Sequence, residues 1–300
     1  MLSLDSICER LEIPRVEDVD EVLITLKANA WDYSERGLFR REFLLSAFEQ
    51  DQLLRHGIFC DPPLSRRVLD GLPEDHLFWV ANQSLEFFVL GGYVVQKIKA
   101  VGNYYTHASA EIRKGAGAFF GEASGVVVND AYGYGYDQSR VDARDRASVF
   151  LEEQSTGYFT GNVTAFCRDL ATGHGLDYTN LYGFDDSRLV LRDNASAICR
   201  GRCFFVALQE TSVFAQNKAF GITFGPKVNL VDKMPHWLVG VDKAPQCNSQ
   251  PLNCPVVDWS WEPLRDLSKL RKQYSDNQEL LQFLQEELPR KQSRQRQTKR

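Results

Sequence analysis

A chain of 300 residues, 43% hydrophobic and 25% charged, has an ordinary soluble composition and a length that suits one large or two ordinary domains. Its amino terminus, MLSLDSICERLEIPRVEDVD, meets acidic residues before any apolar signal segment forms, and no run of about 18 apolar residues follows, so the expectation is a cytosolic protein without a membrane span. The net charge of −5 divides unevenly: the last twelve residues, PRKQSRQRQTKR, hold six basic and no acidic residues, leaving the other 288 at −11.

In chain order, residues 1–76 read as a helical region. VEDVDEVLITLKANA and SERGLFRREFLLSAFEQDQLLRHG carry apolar residues at helical spacing, the second with a Ser34 cap and an end at His56-Gly57. Asp61-Pro62-Pro63 breaks the chain. Residues 77–106 are rich in β-branched and aromatic side chains and predict irregular first coils.

Residues 107–226 are fifteen rows of eight. The first column is Ala, Ser, Thr, Gly or Cys in thirteen rows, and the seventh is Asp, Asn or Gly in twelve. Columns one, three and five hold a single formally charged residue, Glu111 in the first row. Alternation over five positions is the period of a strand with one buried face, and Asp, Asn and Gly accept the left-handed angles of a corner. Each row is thus a short strand and a corner. So short a strand buries nothing alone, whereas stacked coils form continuous parallel sheets. The fold class is therefore a mainly β, right-handed parallel β-solenoid with helical flanks at both ends. Small inward residues such as Ala131, Ser139, Ala147 and Ala171 predict two closely facing sheets, hence two rows and sixteen residues per coil. In alternate rows the fourth column reads Tyr134, Phe150, Phe166, Tyr182, Ile198 and Phe214 on one side. The other reads Asp142, Tyr158, His174, Val190, Val206 and Ile222. A three-row coil would scatter both sets.

Rows such as ASVFLEEQ, SRLVLRDN and ASAICRGR resemble the octapeptide repeats of bacterial β-solenoid proteins, which look like AYGNATVE or AYDNATVK. The likeness covers about 120 of 300 residues. It implies a solenoid and brings no activity with it. Hexapeptide acyltransferases, also solenoids, are excluded by the eight-residue period.

Beyond the repeat, residues 227–261 predict closing strands and a Pro/Cys loop, 262–288 an amphipathic helix, and 289–300 a basic disordered tail. Both ends thereby cap the coil stack against edge pairing. Seven cysteines, an odd number without a CxxC, indicate neither a zinc site nor a disulfide framework. Cys247 and Cys254 flank a loop and would pair only in an exported protein.

Three features could carry function. Tyr134, Phe150, Phe166, Tyr182 and Phe214 form an aromatic ladder too large to leave bare, expected beneath the terminal helices, a protein partner or a second copy. Arg140, Asp142, Arg144, Tyr158, His174, Arg188 and Arg192 gather on the other face, where cross-strand charge pairing competes with anion or glycan binding and acid–base chemistry. The Asp column serves turns better than calcium, because it lacks the nine-residue, glycine-paired pattern of calcium-binding rolls. No phosphate loop, nucleophile elbow or metal-spaced His cluster occurs. The expected function is a non-catalytic scaffold for protein interaction or assembly, without cofactor, metal or membrane. The alternatives are a solenoid enzyme or anion-binding protein using the Arg/His face, and nucleic-acid association through Arg290–Arg300.

Overall fold

The computed structural model describes residues 2–60, 86–90, 93–96, 101–208, 210–216 and 218–224, four later strands, and isolated positions 275, 278 and 282. The expected 262–288 helix, apart from those isolated positions, the 289–300 tail and Cys254 lie outside the described residues.

Five short helices open the chain: α1 (Leu4–Leu11), α2 (Val19–Ala28), α3 (Ala30–Glu35), α4 (Arg41–Ala47) and α5 (Gln50–Arg55). Ser3 caps α1 by accepting from the Ser6 N–H at 3.3 Å, and Asp18 caps α2 by accepting from Asp20 N–H at 2.9 Å. The helix expected from Ser34 onward is instead divided among α3, α4 and α5, with Ser34 inside α3. Two local causes are visible. Gly37 turns left-handed at φ 72° after α3, and Phe48 is extended so that Glu49 opens α5 with a capping box to Gln52. The end at His56-Gly57 is as expected, with Gly57 at φ 70°. His56 Nε2 lies 2.8 Å from Asp20 Oδ1 and ties the end of α5 to the start of α2.

Among the described residues, all remaining regular structure is two parallel sheets. Sheet A has twelve strands, in the order Ile58–Phe59, Glu86–Val89, Val101–Tyr105, Ala116–Phe120, Tyr132–Gly135, Ser148–Leu151, Thr164–Cys167, Asn180–Gly183, Ser196–Cys199, Ser212–Ala215, Asn229–Leu230 and Gln246–Cys247. Sheet B has eleven: Tyr93–Gln96, Ser109–Ile112, Ser124–Val127, Arg140–Ala143, Thr156–Phe159, Thr172–Gly175, Arg188–Leu191, Phe204–Leu208, Phe220–Phe224, Trp237–Gly240 and Val256–Asp258. The chain alternates between them, so each coil supplies one strand to each sheet. Phe150 pairs with Phe166 and Tyr158 with His174, which is the sixteen-residue step of a two-row coil. That step holds from Ala116 to Ser212 in sheet A. Outside it the spacing loosens, to fifteen at Val101↔Ala116 and seventeen at Phe220↔Trp237.

The first row departs from the expected frame. Ser109 pairs with Ser124, and the inward residues are Ala108, Ala110 and Ile112. The repeat therefore starts one residue later, with a seven-residue row. Glu111 consequently points outward, where it accepts from Tyr93 Oη at 3.1 Å and from Arg113 Nε at 2.6 Å. A carboxylate could not occupy an inward column without a partner.

The corners follow the sequence closely. Asn129, Asp137, Asp145, Glu153, Asp169, Asp177, Asp185 and Asp193 all have φ between 53° and 64°, and Gly121, Gly161 and Gly201 fill the same position elsewhere. Between the sheets of the regular coils the core is apolar apart from small hydroxyl side chains such as Ser139, Ser155, Thr179 and Ser187, and it is very thin. A Cβ added at Gly133 would come within 2.7 Å of Val127 Cγ2 and 2.9 Å of Val141 Cγ1. The large inward rings Phe119, Phe159 and Phe205 are accommodated by Gly125 on the facing sheet, Gly157 on the same strand and Gly221 on the neighbouring strand, where any Cβ would overlap them.

The helices form a second core with the first coils. Phe39 meets Phe88 and Tyr105 edge-on at 5.6 and 5.3 Å, and Phe120 packs against the same cluster. They thus cover the outer face of sheet A at its first strands.

Candidate functional site

Outward side chains in sheet B come from columns two, four and six of alternate rows, so parallel register stacks like positions at one-coil intervals. Column four brings Asp142, Tyr158 and His174 together as the sequence implied. The Tyr158 and His174 rings stack 4.4 Å apart at 7°. Arg140 binds Asp142 through two bonds, Nε to Oδ1 at 3.1 Å and Nη2 to Oδ2 at 2.9 Å, and its guanidinium also lies 4.8 Å from the Tyr158 ring centroid. The sequence suggested cross-strand charge pairing here. The observed ion pair is instead on one strand, two residues apart.

Arg188 continues the column of Arg140, Thr156 and Thr172. Arg192 lies at the other end of the Arg188 strand, as Arg144 does beside Arg140. The two pairs are three coils apart, about 14 Å. All four arginines are exposed. Arg144, Arg188 and Arg192 have no ion pair among the described residues. Burial lowers the His174 pKa, and the nearby charges of Arg192 and Arg140 lower it further, against a smaller opposing effect of Asp142. Neutral imidazole is therefore its resting form at neutral pH.

On sheet A the expected aromatic ladder is present. Tyr134, Phe150, Phe166 and Tyr182 stack at 5.2, 4.8 and 4.7 Å with interplanar angles of 15° or less, and Ile198 and Phe214 continue the column. These rings are partly buried. Of the terminal helices expected to cover them, α1–α5 reach Phe88, Tyr105 and Phe120, not this column.

Sequence reading overlooked a second aromatic column. Tyr105, Phe120 and Tyr136 stack at 4.7 and 5.0 Å, so an aromatic row leads out from beneath the helices to the open ladder. Column six of the alternate rows holds only Phe120 and Tyr136 before turning to Glu152 and Arg168, and Tyr105 precedes the rows, so the periodicity did not mark it. The corner bonds also went unnoticed: Asp137 Oδ2 accepts from Gly121 N–H at 2.9 Å, and Glu153 Oε2 accepts from Asp137 N–H at 2.7 Å. Asp145 and Asp177 reach back to Asn129 and Gly161 at 3.4 Å along the other edge. Four corner carboxylates, Asp137, Asp145, Glu153 and Asp177, thus satisfy a backbone donor one coil earlier, which supports the turn reading of the Asp column. Beside Asp137, Glu153 and Asp169 a shallow hollow of about 350 Å³ opens at this edge. No group of three metal-ligating side chains occurs among the described residues.

Cys167, Cys199 and Cys203 are free thiols buried between the sheets, and burial raises the pKa of Cys167 and Cys199. Cys247 lies in the last strand of sheet A. No helix among the described residues is long and apolar enough to cross a membrane. Comparison with known protein families, with curated proteins and with solved structures finds no match for this chain.

Proposed function

We propose that this protein is a non-catalytic β-solenoid scaffold that docks a partner protein on the outer face of sheet A. The carrying observation is the aromatic ladder Tyr134–Phe150–Phe166–Tyr182, partly exposed and beside the aromatic row whose first rings the chain's own helices already cover. The helical region displays the partner chemistry that this face accepts: Phe39 set edge-on against stacked rings, with aliphatic side chains around it. A flat array of rings excludes little water around a reacting group, so it serves binding better than catalysis. Rings locked by stacking lose little conformational freedom on docking. The eight-residue period supports, in this reading, a resemblance to the bacterial octapeptide-repeat solenoids. Buried free thiols accord with a reducing, cytoplasmic setting.

The test is a photoreactive side chain at Thr164, which borders the ladder, in the cells that naturally make the protein. Ultraviolet light should give a discrete protein adduct, and Phe150→Ser with Phe166→Ser should abolish it while circular dichroism stays unchanged. A purified chain that sediments as a monomer and yields no adduct dependent on Phe150 and Phe166 would overturn the proposal.

A further inference from the structure

We propose that the outer face of sheet B is a binding site for a small, multiply charged oxyanion of the di- or triphosphate class, held by Arg188 and Arg192 beside the edge of His174, with Arg144 beyond. This site is independent of the aromatic face and needs no partner protein.

The argument begins with where the charges lie. Between Ser124 and Phe224 the outward positions of sheet B hold four arginines and one aspartate, a net +3, on a chain whose net charge is −5. Most acidic residues of the repeat sit at the corners, where Asp137, Asp145, Glu153 and Asp177 are occupied with backbone N–H groups of the preceding coil. None of them forms an ion pair with Arg144, Arg188 or Arg192. Between Ser124 and Phe224 the single carboxylate of the flat face, Asp142, is held by both arms of Arg140. Three guanidiniums therefore remain without an anionic partner among the described residues, and solvating a face requires no such concentration of one sign.

The arrangement around His174 gives the site its shape. Tyr158 covers one face of the imidazole, and Arg140 in turn covers Tyr158. Val190 follows His174 in the same column, with Arg188 and Arg192 on either side of it along one strand. Ring faces are thus taken up inside the column, and only ring edges, carrying the imidazole nitrogen and the phenol oxygen, remain for a ligand. Stacking of a nucleobase or sugar on these rings is blocked, whereas hydrogen bonding to an oxyanion is not. Guanidinium forks suit phosphate oxygens in bidentate geometry, and two flanking forks suit a ligand with at least two anionic groups. The parallel sheet beneath fixes the spacing, and Thr172 adds a hydroxyl between Arg188 and the Tyr158 strand.

Inorganic pyrophosphate titrated into the full chain at physiological ionic strength tests this by calorimetry and by the imidazole signals of His174, assigned with His174→Gln. Pyrophosphate should bind with one-to-one stoichiometry and raise the His174 pKa, because a bound anion offsets the cations Arg192 and Arg140 that now lower it. Arg188→Ala with Arg192→Ala should weaken binding about tenfold or more. Arg168→Ala with Arg200→Ala removes the same charge from sheet A and should leave affinity within about twofold. Absence of binding by the wild-type chain, an unmoved His174 titration, or equal weakening by both double variants would each overturn the proposal.

Discussion

Glu153 holds a left-handed corner at φ 58°, a conformation that Asp, Asn or Gly holds at every other described corner from Gly121 to Gly201. A β-methylene followed by a long chain gains nothing there, since the equivalent Asp137 reaches its N–H from one methylene less. Glu153→Asp should therefore raise the melting temperature, with a gain on the order of 0.5–1 kcal/mol. Burial raises the Glu153 pKa, the neighbouring carboxylates of Asp137 and Asp169 add to that, and the Asp137 N–H opposes it. A carboxyl whose folded pKa is raised stabilises the fold most fully below the ordinary carboxyl range, and that contribution disappears as pH rises through the folded value. Wild type should accordingly gain on Glu153→Gln when denaturant titrations are moved from neutral pH to the ordinary carboxyl range. A second residue-scale cost lies inside. Thr179 Oγ1 is fully buried with no hydrogen-bond partner among the described residues, as are the hydroxyls of Ser139 and Ser187. Thr179→Val keeps the shape and removes the orphaned hydroxyl, so it should stabilise by about 1 kcal/mol in chemical denaturation.

At the scale of the element, the strand is a four-residue unit whose identity is set by alternation and whose end is set by a left-handed residue. Both were legible from Ala116 onward, because inward columns tolerate only small or apolar side chains and corners favour Asp, Asn or Gly, with Glu153 the exception. The first row was misread by one position because Ala108, Ala110 and Ile112 alternate as well as His107, Ser109 and Glu111 do, and only pairing with Ser124 decides. The break between α3 and α4 was hidden for a similar reason: apolar periodicity runs across Gly37, and a single glycine inside a helical pattern does not say whether the helix ends. The Arg/His column was legible as a neighbourhood. That Arg140 pairs with Asp142 on its own strand, leaving Arg188 and Arg192 free, depends on rotamers that no periodicity encodes. The thinness of the strand pair gives a direct test. Ala147 is fully buried, and Ala147→Leu should destabilise by about 1–3 kcal/mol through overpacking, read from the denaturant midpoint. An unchanged midpoint would mean that the space between the sheets can open.

For the molecule as a whole, the strict sixteen-residue step makes the coil, not the strand, the unit of exchange. Excising residues 155–170 joins Gln154 to Ala171, so a corner again precedes an inward alanine and every later strand keeps its sheet. The shortened chain should fold and melt in one transition. Excising 155–162 alone would send each following strand to the opposite sheet, splitting the aromatic ladder after Phe150 and placing Phe166 above Asp142. That variant should lose adduct formation at the sheet A face even if it folds. Solenoid stability is approximately a sum over neighbouring repeats, so the sixteen-residue excision removes one interface and no more.

The corner bonds give this stack a direction in time. Gly121 and Asp137 each present a backbone N–H that is satisfied only by a carboxylate sixteen residues later. As the chain leaves the ribosome, a coil completed at these corners closes the coil before it and exposes one new unfinished rim. Assembly can thus advance vectorially at the pace of synthesis, with the helical region laid down first as its foundation and only the youngest rim left vulnerable. The same asymmetry makes the two ends unequal under load or heat: the earliest coils are sealed from above, while unravelling starts at the coil that was made last.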